Sequence, residues 1–180
     1  MAEFRLETER LMLRDWREDD FDALHALCTD PAVMATIGPL HDPAATHGLL
    51  GRLQDRTRRH GCTFWAMERK DDGRVLGFCG VSRGTIPRLE EELEIGWRLC
   101  SDCWGQSYAR EAAQATVRWI AEHRPGEDVW AITSVGNVRS RGLMERLGMR
   151  YLPDGDFDHP AVADDSPLKP HVTYRLDAPR

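Results

Sequence analysis

The sequence predicts an α+β fold, in which a mixed central β-sheet is flanked by about four helices. Three observations support this class. Two helical patterns come early in the chain, a pair of strand patterns joined by a tight turn follows, and a single strand–helix–strand unit lies near the middle. Hairpins followed by one crossover are typical of α+β proteins and not of doubly wound α/β proteins.

The predicted helices are identified by apolar periodicity and by their end residues. Proline follows Asp42, where it is tolerated at the first helical position, and Gly61 ends that second helix. Gly148 ends the fourth helix in the same way. The third helix has small residues on its inner face and should pack closely on the sheet. The helices begin at Asp19 or Asp20, at Asp42, after Ser107 and at about Asn137.

The predicted strands are rich in apolar and β-branched residues. Alternation is clearest in Leu93–Leu99, and the turn Asp71–Gly73 between two strand patterns predicts a hairpin. Residues 152–170 form a long Asp- and Pro-rich loop, a length that is usually functional or disordered. The strands cover residues 10–15, 62–68, 74–81, 93–99, 129–133, 150–151 and 171–176.

Length and composition predict a single domain over residues 1–180. The net charge of −6 disfavours nucleic acid as a partner, because phosphate binding needs a basic surface, and favours an amine-bearing partner. Five scattered cysteines do not suggest a disulfide framework. No signal peptide and no membrane-spanning apolar run is visible, so we expect a cytoplasmic protein.

Two short motifs and one basic cluster have ordinary explanations. Gly80–Gly84 fits G-x-S-x-G, but Pro87 argues against the helix that must follow a nucleophile elbow. Cys100–Cys103 is a C-x-x-C without a second pair, so zinc or redox chemistry is not expected. The basic residues at the end of the second helix either complement its dipole or contact an anionic cofactor or partner. They are Arg56, Arg58, Arg59 and His60.

The most informative segment runs from Glu91 to Ala115. A strand there enters the third helix through Gly105 to Tyr108, and a helix start leaves unpaired backbone N–H groups. Those donors and the positive end of the helix dipole suit phosphate. The carboxylate of Glu94 lies one strand length upstream. An anion site next to a candidate base predicts group transfer from a phosphorylated donor.

Four segments resemble the GCN5-related N-acetyltransferase (GNAT) family, most closely its branch of ribosomal-protein N-terminal acetyltransferases. WGQSYA at 104–109 resembles the acetyl-CoA loop, and Glu9–Asp20 is similar to the family's first strand and helix start. Leu93–Leu99 looks like the fourth strand, and Gly136–Tyr151 resembles the last motif, an Asn-x-x-Ser helix ending in Leu-Gly-Met. The resemblance implies an acyl-CoA N-acyltransferase fold that uses acetyl-CoA as co-substrate and no metal.

The resemblance also implies residues that bind coenzyme A. Backbone amides at the start of the third helix would hold the pyrophosphate, and the fourth strand would pair with the pantetheine arm. Asn137, the only asparagine, matches the family's Asn near the pantetheine or acetyl end, and it can also cap its helix. The implied residues are Trp97, Arg98, Leu99, Cys100, Gly105, Gln106, Ser107, Tyr108, Ala109, Arg110 and Asn137.

The chain departs from the family pattern at three positions. Trp104 stands where many members have Arg or Gln, and Ser107 replaces a usual glycine. Met144 occupies the place of the tyrosine that returns a proton to the leaving thiolate. Ser140 matches the hydroxyl that the ribosomal branch is thought to use instead, and Tyr151 is a second candidate for the general acid.

The implied reaction is direct attack of an amine on the acetyl thioester. Glu94 is the predicted base, acting directly or through a water, with a pKa raised by an apolar cleft. Its other interpretations are a solvated carboxylate or one that attracts a cationic acceptor. A backbone N–H near Trp97 or Leu99 would donate a hydrogen bond to the oxyanion of the tetrahedral intermediate.

The acceptor is predicted to be an amine, on either a protein N-terminus or a small molecule. Asp156 and Asp158 would attract it, and His159, with His171 nearby, would titrate near neutrality. A solvated acidic loop explains the same residues. A homodimer is the default expectation. Two alternative functions stay open: a non-catalytic acyl-CoA-binding or regulatory module on the same fold, and an N-acyltransferase that uses another acyl-CoA.

Overall fold

The computed structural model describes residues 3–178, and over that range it contains one nine-stranded sheet and five α-helices. The strand order is β1-β2-β3-β4-β5-β6-β9-β7, and β8 pairs with β9. All neighbours are antiparallel except β5 and β6, which are parallel. The strands are β1 (Arg5–Glu7), β2 (Leu11–Arg14), β3 (Phe64–Arg69), β4 (Val75–Arg83), β5 (Leu93–Leu99), β6 (Val129–Ser134), β7 (Arg150–Tyr151), β8 (Phe157–Asp158) and β9 (Pro170–Leu176).

The helices begin and end as their cap residues predict. The carboxylate of Asp42 accepts a hydrogen bond from the Ala45 N–H at 2.7 Å, and Gly61 ends the helix with φ 69°. Gly148 has φ 82° after the last helix, again the left-handed conformation. The helices are α1 (Phe21–Thr29), α2 (Pro31–Met34), α3 (Pro43–His60), α4 (Tyr108–His123) and α5 (Val138–Arg146).

Two apolar cores lie on opposite faces of the sheet. On one face α4 packs against β4 and β5, and its residues Ala112 and Ala113 are fully buried, which allows the close approach predicted from their size. On the other face α1 and α3 contribute leucines to a second core against β4. The mixed sheet between helices on both faces confirms the predicted fold class, with one helix more than expected.

Three short elements escaped the sequence analysis: β1, α2 and β8. None has more than four residues, too few for a periodic pattern. Asp30 caps α2 by accepting from the Ala32 N–H at 2.8 Å, the same Asp-Pro signature that predicted the start of α3. Residues 152–170 are therefore less irregular than predicted, because β8 joins them to the sheet.

Asp20 does not cap α1 as predicted. Its carboxylate accepts two hydrogen bonds from the buried guanidinium of Arg14, at 2.7 and 2.8 Å, and one from the Arg17 N–H at 2.8 Å. The carboxylate forms an ion pair with Arg14 instead of capping α1, because the two charged groups are buried together. Asp20 thus holds the segment before α1 against Arg14, the last residue of β2.

The motif at Gly80–Gly84 lies along β4, with Ser82 only 1% exposed, so it forms no strand-to-helix turn. All five cysteines, which lie within the described residues, are free thiols. Within residues 3–178, no helix has the length and apolar character needed to cross a bilayer.

Candidate functional site

The parallel strands β5 and β6 separate soon after they meet. They pair only at Leu93 with Val129 and at Glu94 with Trp130, although β5 continues to Leu99 and β6 to Ser134. A wedge therefore opens towards the carboxyl ends of both strands, with Glu94 at its closed end. Ligands of open sheets bind beyond the carboxyl ends of parallel strands, where neighbouring strands diverge.

Backbone groups of β5 line one side of this wedge. The Glu92 carbonyl accepts from the Gly84 N–H, and the Cys100 N–H donates to the Leu76 carbonyl, so even-numbered residues of β5 face β4. Because bonding direction alternates along a strand, Ile95, Trp97 and Leu99 turn their backbone groups towards β6. The wedge thus offers a strand edge to which an extended ligand can add hydrogen bonds.

This geometry narrows the set of residues predicted to pair with pantetheine. Trp97 and Leu99 present backbone groups to the wedge, whereas Arg98 and Cys100 turn theirs to β4. The Leu99 carbonyl already accepts the indole N–H of Trp104 at 3.1 Å. Sequence reasoning named a continuous segment because it could not give the register between β4 and β5.

The start of α4 carries the predicted anion site. Among the described residues, the backbone N–H groups of Tyr108, Ala109 and Arg110 donate to no backbone acceptor, and the first helical bond runs from Glu111 to the Ser107 carbonyl. Ser107 itself has φ 65°, and its side chain makes no capping hydrogen bond. A left-handed residue before the helix turns successive N–H groups towards one point, where they can surround an anion.

Gly105 and Gln106 complete the loop before α4. Gly105 has φ 77°, and the Gln106 carbonyl accepts from the Arg10 guanidinium at 3.1 Å. Arg10 also pairs with Glu111 at 2.7 Å and lies over the Tyr108 ring, which holds the loop against the β1–β2 hairpin. A shallow groove of about 380 Å³ runs beside it, lined in part by Ser107, Arg110 and Arg118. The site therefore combines backbone N–H donors with three arginines and two glutamates, one of which, Glu111, pairs with Arg10.

The mouth of the wedge is bridged by a contact between α5 and the segment after β5. The guanidinium carbon of Arg139 lies 4.3 Å from the centre of the Trp104 ring. Cation–π contacts of this kind are favourable when partly desolvated. Trp104, which stands where many family members have Arg or Gln, thus links the segment after β5 to α5 on the other side of the wedge.

Asn137 and Ser140 lie at the start of α5. The Asn137 side chain accepts from the Ser140 N–H at 3.2 Å, so the helix-capping interpretation of Asn137 is confirmed. Met144 is 2% exposed and belongs to the α4-side core. It offers no proton donor, which leaves the Ser140 hydroxyl at this helix.

Glu94 faces the side of the sheet that α1 and α3 cover. Its neighbours Leu93 and Ile95 are in the α4-side core, so Glu94, Gly96 and Arg98 alternate to the other face. Burial raises the pKa of the Glu94 carboxyl, and the positive charge of Arg56 on α3 opposes that shift. Arg56 is half-buried and lies over the Phe64 ring, unlike the exposed Arg58 and Arg59 beside it.

Tyr151 lies apart from Glu94. It is on the edge strand β7, and β6 and β9 separate that strand from β5. Its hydroxyl donates to the Asp156 carboxylate at 2.5 Å, a bond that raises the pKa of Tyr151. Asp156 also accepts from the Thr173 N–H at 3.3 Å. The structure therefore joins Tyr151 and Asp156 to each other and not to the wedge, because β7 is the last strand of the sheet.

The two histidines predicted to lie on the acceptor side are together near the carboxyl end of β6. His171 pairs with Ser134 across β6 and β9, and its ring centre is 4.7 Å from that of His159. Burial is the main cause that lowers the pKa of His159, with smaller contributions from His171 and Lys169. Burial likewise lowers the pKa of His171. Asp158 is exposed on β8.

Sequence analysis named Arg98 only as part of the strand that would pair with pantetheine, and it missed His41. The Arg98 guanidinium lies 3.4 Å from the Cys28 sulfur and 5.2 Å from the centre of the Phe78 ring. His41 lies on the loop between α2 and α3, where its N–H donates to the Cys28 carbonyl at 3.1 Å. Strand alternation placed Arg98 on the face of Glu94, but nothing in the sequence brings residue 41 to it.

Comparison with known proteins gives a consistent result. A family model described as the Acetyltransferase (GNAT) domain matches residues 10–150. The uncharacterized protein YkkB of Bacillus subtilis (strain 168) is 31% identical over 154 residues, which cover 83% of this chain and 87% of YkkB.

Solved structures share the fold. An acetyltransferase from Agrobacterium tumefaciens str. C58 has a TM-score of 0.77 at 25% identity, covering 98% of this chain and 95% of that one. The RimL ribosomal L7/L12 alpha-N-protein acetyltransferase has a TM-score of 0.78 at 16% identity, over 98% and 96% of the two chains, a likeness of fold alone. The family match over residues 10–150, together with YkkB, shows that this chain belongs to the GNAT acetyltransferase family.

Proposed function

We propose that this chain transfers the acetyl group of acetyl-CoA to an amine that reaches Glu94 from the face covered by α1 and α3. The observation that carries the proposal is the wedge between β5 and β6. It runs from Glu94 at its closed end to the unpaired N–H groups of α4. In acetyl-CoA a diphosphate and a thioester lie at opposite ends of the extended pantetheine arm. The diphosphate would lie at the start of α4 and the thioester near Glu94.

The binding roles follow from the groups on each side of the wedge. The N–H groups from Ser107 to Arg110 would hold the diphosphate, and the free edge of β5 at Trp97 would bond the pantetheine arm. The Asn137 amide, aimed from the start of α5, would bond the arm from the opposite side. The N–H of Trp97 or Leu99 would stabilise negative charge on the thioester oxygen.

The base is needed because only a neutral amine attacks. At pH 7 roughly a tenth of an α-amine is neutral, but well under a thousandth of a lysine side chain. Glu94 would remove the proton, directly or through a water, and its raised pKa makes it a better proton acceptor. Ser140 would return a proton to the leaving thiolate. These roles assign both proton transfers to this chain's own side chains.

The acceptor favoured by these considerations is a protein N-terminal α-amine. Such an amine is the least dependent on a strong base. The fold neighbours named as ribosomal-protein acetyltransferases, such as RimL, act on acceptors of that kind by their names. Five free thiols fit a reducing compartment, so we place the reaction in the cytoplasm.

The test compares Glu94→Gln with Glu90→Gln, whose side chain is on the exposed loop before β5. Thiol release is measured with acetyl-CoA and an amine panel, and acetyl-CoA affinity by calorimetry. Loss of a general base should lower kcat by about 10²–10⁴-fold, more for lysine-type amines than for α-amines. Acetyl-CoA affinity should be unchanged, and Glu90→Gln should match the wild type.

Two results would contradict the proposal in different ways. Full activity of Glu94→Gln across pH would remove Glu94 from the base role. Binding of acetyl-CoA without thiol release for any amine, in the wild type, would instead support the non-catalytic module. Propionyl- and succinyl-CoA in the same assay test whether another acyl group is transferred.

A further inference from the structure

The Glu94 face of β5 carries a second charged side chain with no counter-ion. Arg98 lies four residues after Glu94 on the same face, and among residues 3–178 it forms no salt bridge. Its recorded partners are the Cys28 sulfur at 3.4 Å and the Phe78 ring. Burial lowers the pKa of Arg98, and neither partner carries a formal negative charge.

The loop between α2 and α3 returns to Cys28, the residue that the Arg98 guanidinium contacts. Its first end is fixed to β6, because the Ser134 hydroxyl donates to the Thr36 carbonyl at 2.9 Å. Its other end returns to α1, where the His41 N–H donates to the Cys28 carbonyl. The loop thus crosses the open end of the wedge on the acceptor face, with Arg98 next to its second attachment.

His41 adds a polar atom without a partner. Within the described residues its Nδ1 is buried and makes no hydrogen bond. His41 and Arg98 both contact Cys28, the first through its backbone N–H at 3.1 Å and the second through its guanidinium at 3.4 Å, so the two residues lie near one another. Unsatisfied buried polar atoms are rare in folded proteins and call for an explanation. A ligand that accepts hydrogen bonds from Arg98 and from the Nδ1–H tautomer of His41 provides one.

Arg98 is separated from the reacting end of the wedge. Residues four apart on a strand are about 13 Å apart at Cα. The ring of Phe64 lies over Gly96 between them, since a Cβ on Gly96 would meet that ring at 2.9 Å. Glu94 has its own cation in Arg56, so Arg98 is not needed to balance it. A group bound at Arg98 is therefore remote from the amine.

We propose that Arg98 and His41 bind an anionic group of the acceptor, several bonds away from the amine that Glu94 deprotonates. This inference rests on the proposed function. A free amino acid is too short to reach both points. A peptide N-terminus with an acidic side chain within its first few residues has the required length and charge. The substrate class is then an acidic N-terminal peptide segment.

The test uses four-residue peptide amides that carry either aspartate or asparagine at the second, third or fourth position. Each pair has the same amine and nearly the same shape, and differs only in charge. Binding to the CoA-loaded protein is measured by calorimetry, and turnover by thiol release. We expect at least one aspartate peptide to bind about 10–100-fold tighter than its asparagine partner, the usual effect of a charge-assisted hydrogen bond.

Arg98→Met should remove that preference, and Arg98→Lys should restore part of it. Arg59→Met is the matched control, because its side chain is 71% exposed and pairs with Asp55. Turnover of the asparagine peptides should be unchanged in Arg59→Met. Arg98→Met should also melt at or above the wild-type temperature, because it removes a partly buried charge that has no counter-ion among the described residues.

Three outcomes would overturn the inference. One is equal binding of every aspartate and asparagine pair by the wild type, including no binding of either. A second is a preference for aspartate that survives in Arg98→Met. The third is an equal loss of both peptide types in Arg98→Met with a lowered melting temperature, which would make Arg98 a structural residue. None of these touches the proposed function, which is tested separately by acetyl-CoA binding, by thiol release and by Glu94→Gln.

Discussion

Replacing Ser107 by glycine should stabilise this protein. Ser107 has φ 65°, a conformation that costs a residue with a Cβ about 1–2 kcal/mol and costs glycine almost nothing. Its side chain makes no capping hydrogen bond, so no contact is lost with it. Glycine gives back about 0.5–1 kcal/mol through the greater freedom of the unfolded chain. The net gain is therefore about 0.5–1 kcal/mol.

Thermal unfolding measures this gain, because 1 kcal/mol raises Tm by about 2–4 °C in a chain of this size. Ser107→Ala is the control: it removes the hydroxyl, keeps the Cβ and should not gain. Acetyl-CoA affinity should stay the same in Ser107→Gly, since the backbone N–H is retained. A Tm for Ser107→Gly at or below that of Ser107→Ala would refute the strain argument. Ser107→Pro is not a clean test of the N–H, because proline cannot adopt a positive φ.

Two further predictions concern Arg56, whose charge acts on Glu94, and Asn137, at the start of α5. Arg56→Met should raise the pKa of Glu94 further, because the positive charge that opposes the burial shift is lost. The rate on a fixed amine, which rises as Glu94 ionises, should then begin its rise at higher pH, and an unmoved acidic limb of kcat against pH would contradict this. Asn137→Ser keeps a helix-capping side chain, so its free energy of unfolding should lie within about 1 kcal/mol of the wild-type value. If the amide bonds the pantetheine arm, the KM for acetyl-CoA rises in this variant, whereas an unchanged KM would leave Asn137 with its capping role alone.

Local signals made much of the fold readable from the sequence. The stops at Gly61 and Gly148 and the cap at Asn137 need only a few neighbouring residues, and all three are in the structure. The entry from β5 into α4 was predictable because alternation gives way to helical periodicity within one short loop. Asp20 was misassigned because its partner, Arg14, is on the preceding strand.

The candidate site was predictable only in part. Its two ends, Glu94 and the start of α4, are near one another in sequence and were identified together. The wedge itself depends on where β6 leaves β5, which is a property of pairing register. From the sequence, Arg56 could not be told apart from its exposed neighbours Arg58 and Arg59, because a difference of one position along the helix decides whether a side chain faces the sheet. His41 reaches the site only because the loop before α3 folds back over α1.

The separation of β5 from β6 also has a mechanical consequence. The strands on either side are firmly laddered, with seven residue pairs between β4 and β5 and six between β6 and β9, but the two halves share only the pairs at Leu93 and Glu94. Such a seam is where a sheet opens first, since few hydrogen bonds resist it. A ligand strand laid into the seam would join the halves and slow amide hydrogen exchange on both flanking strands at once. A nucleotide held only at the surface would leave that exchange unchanged.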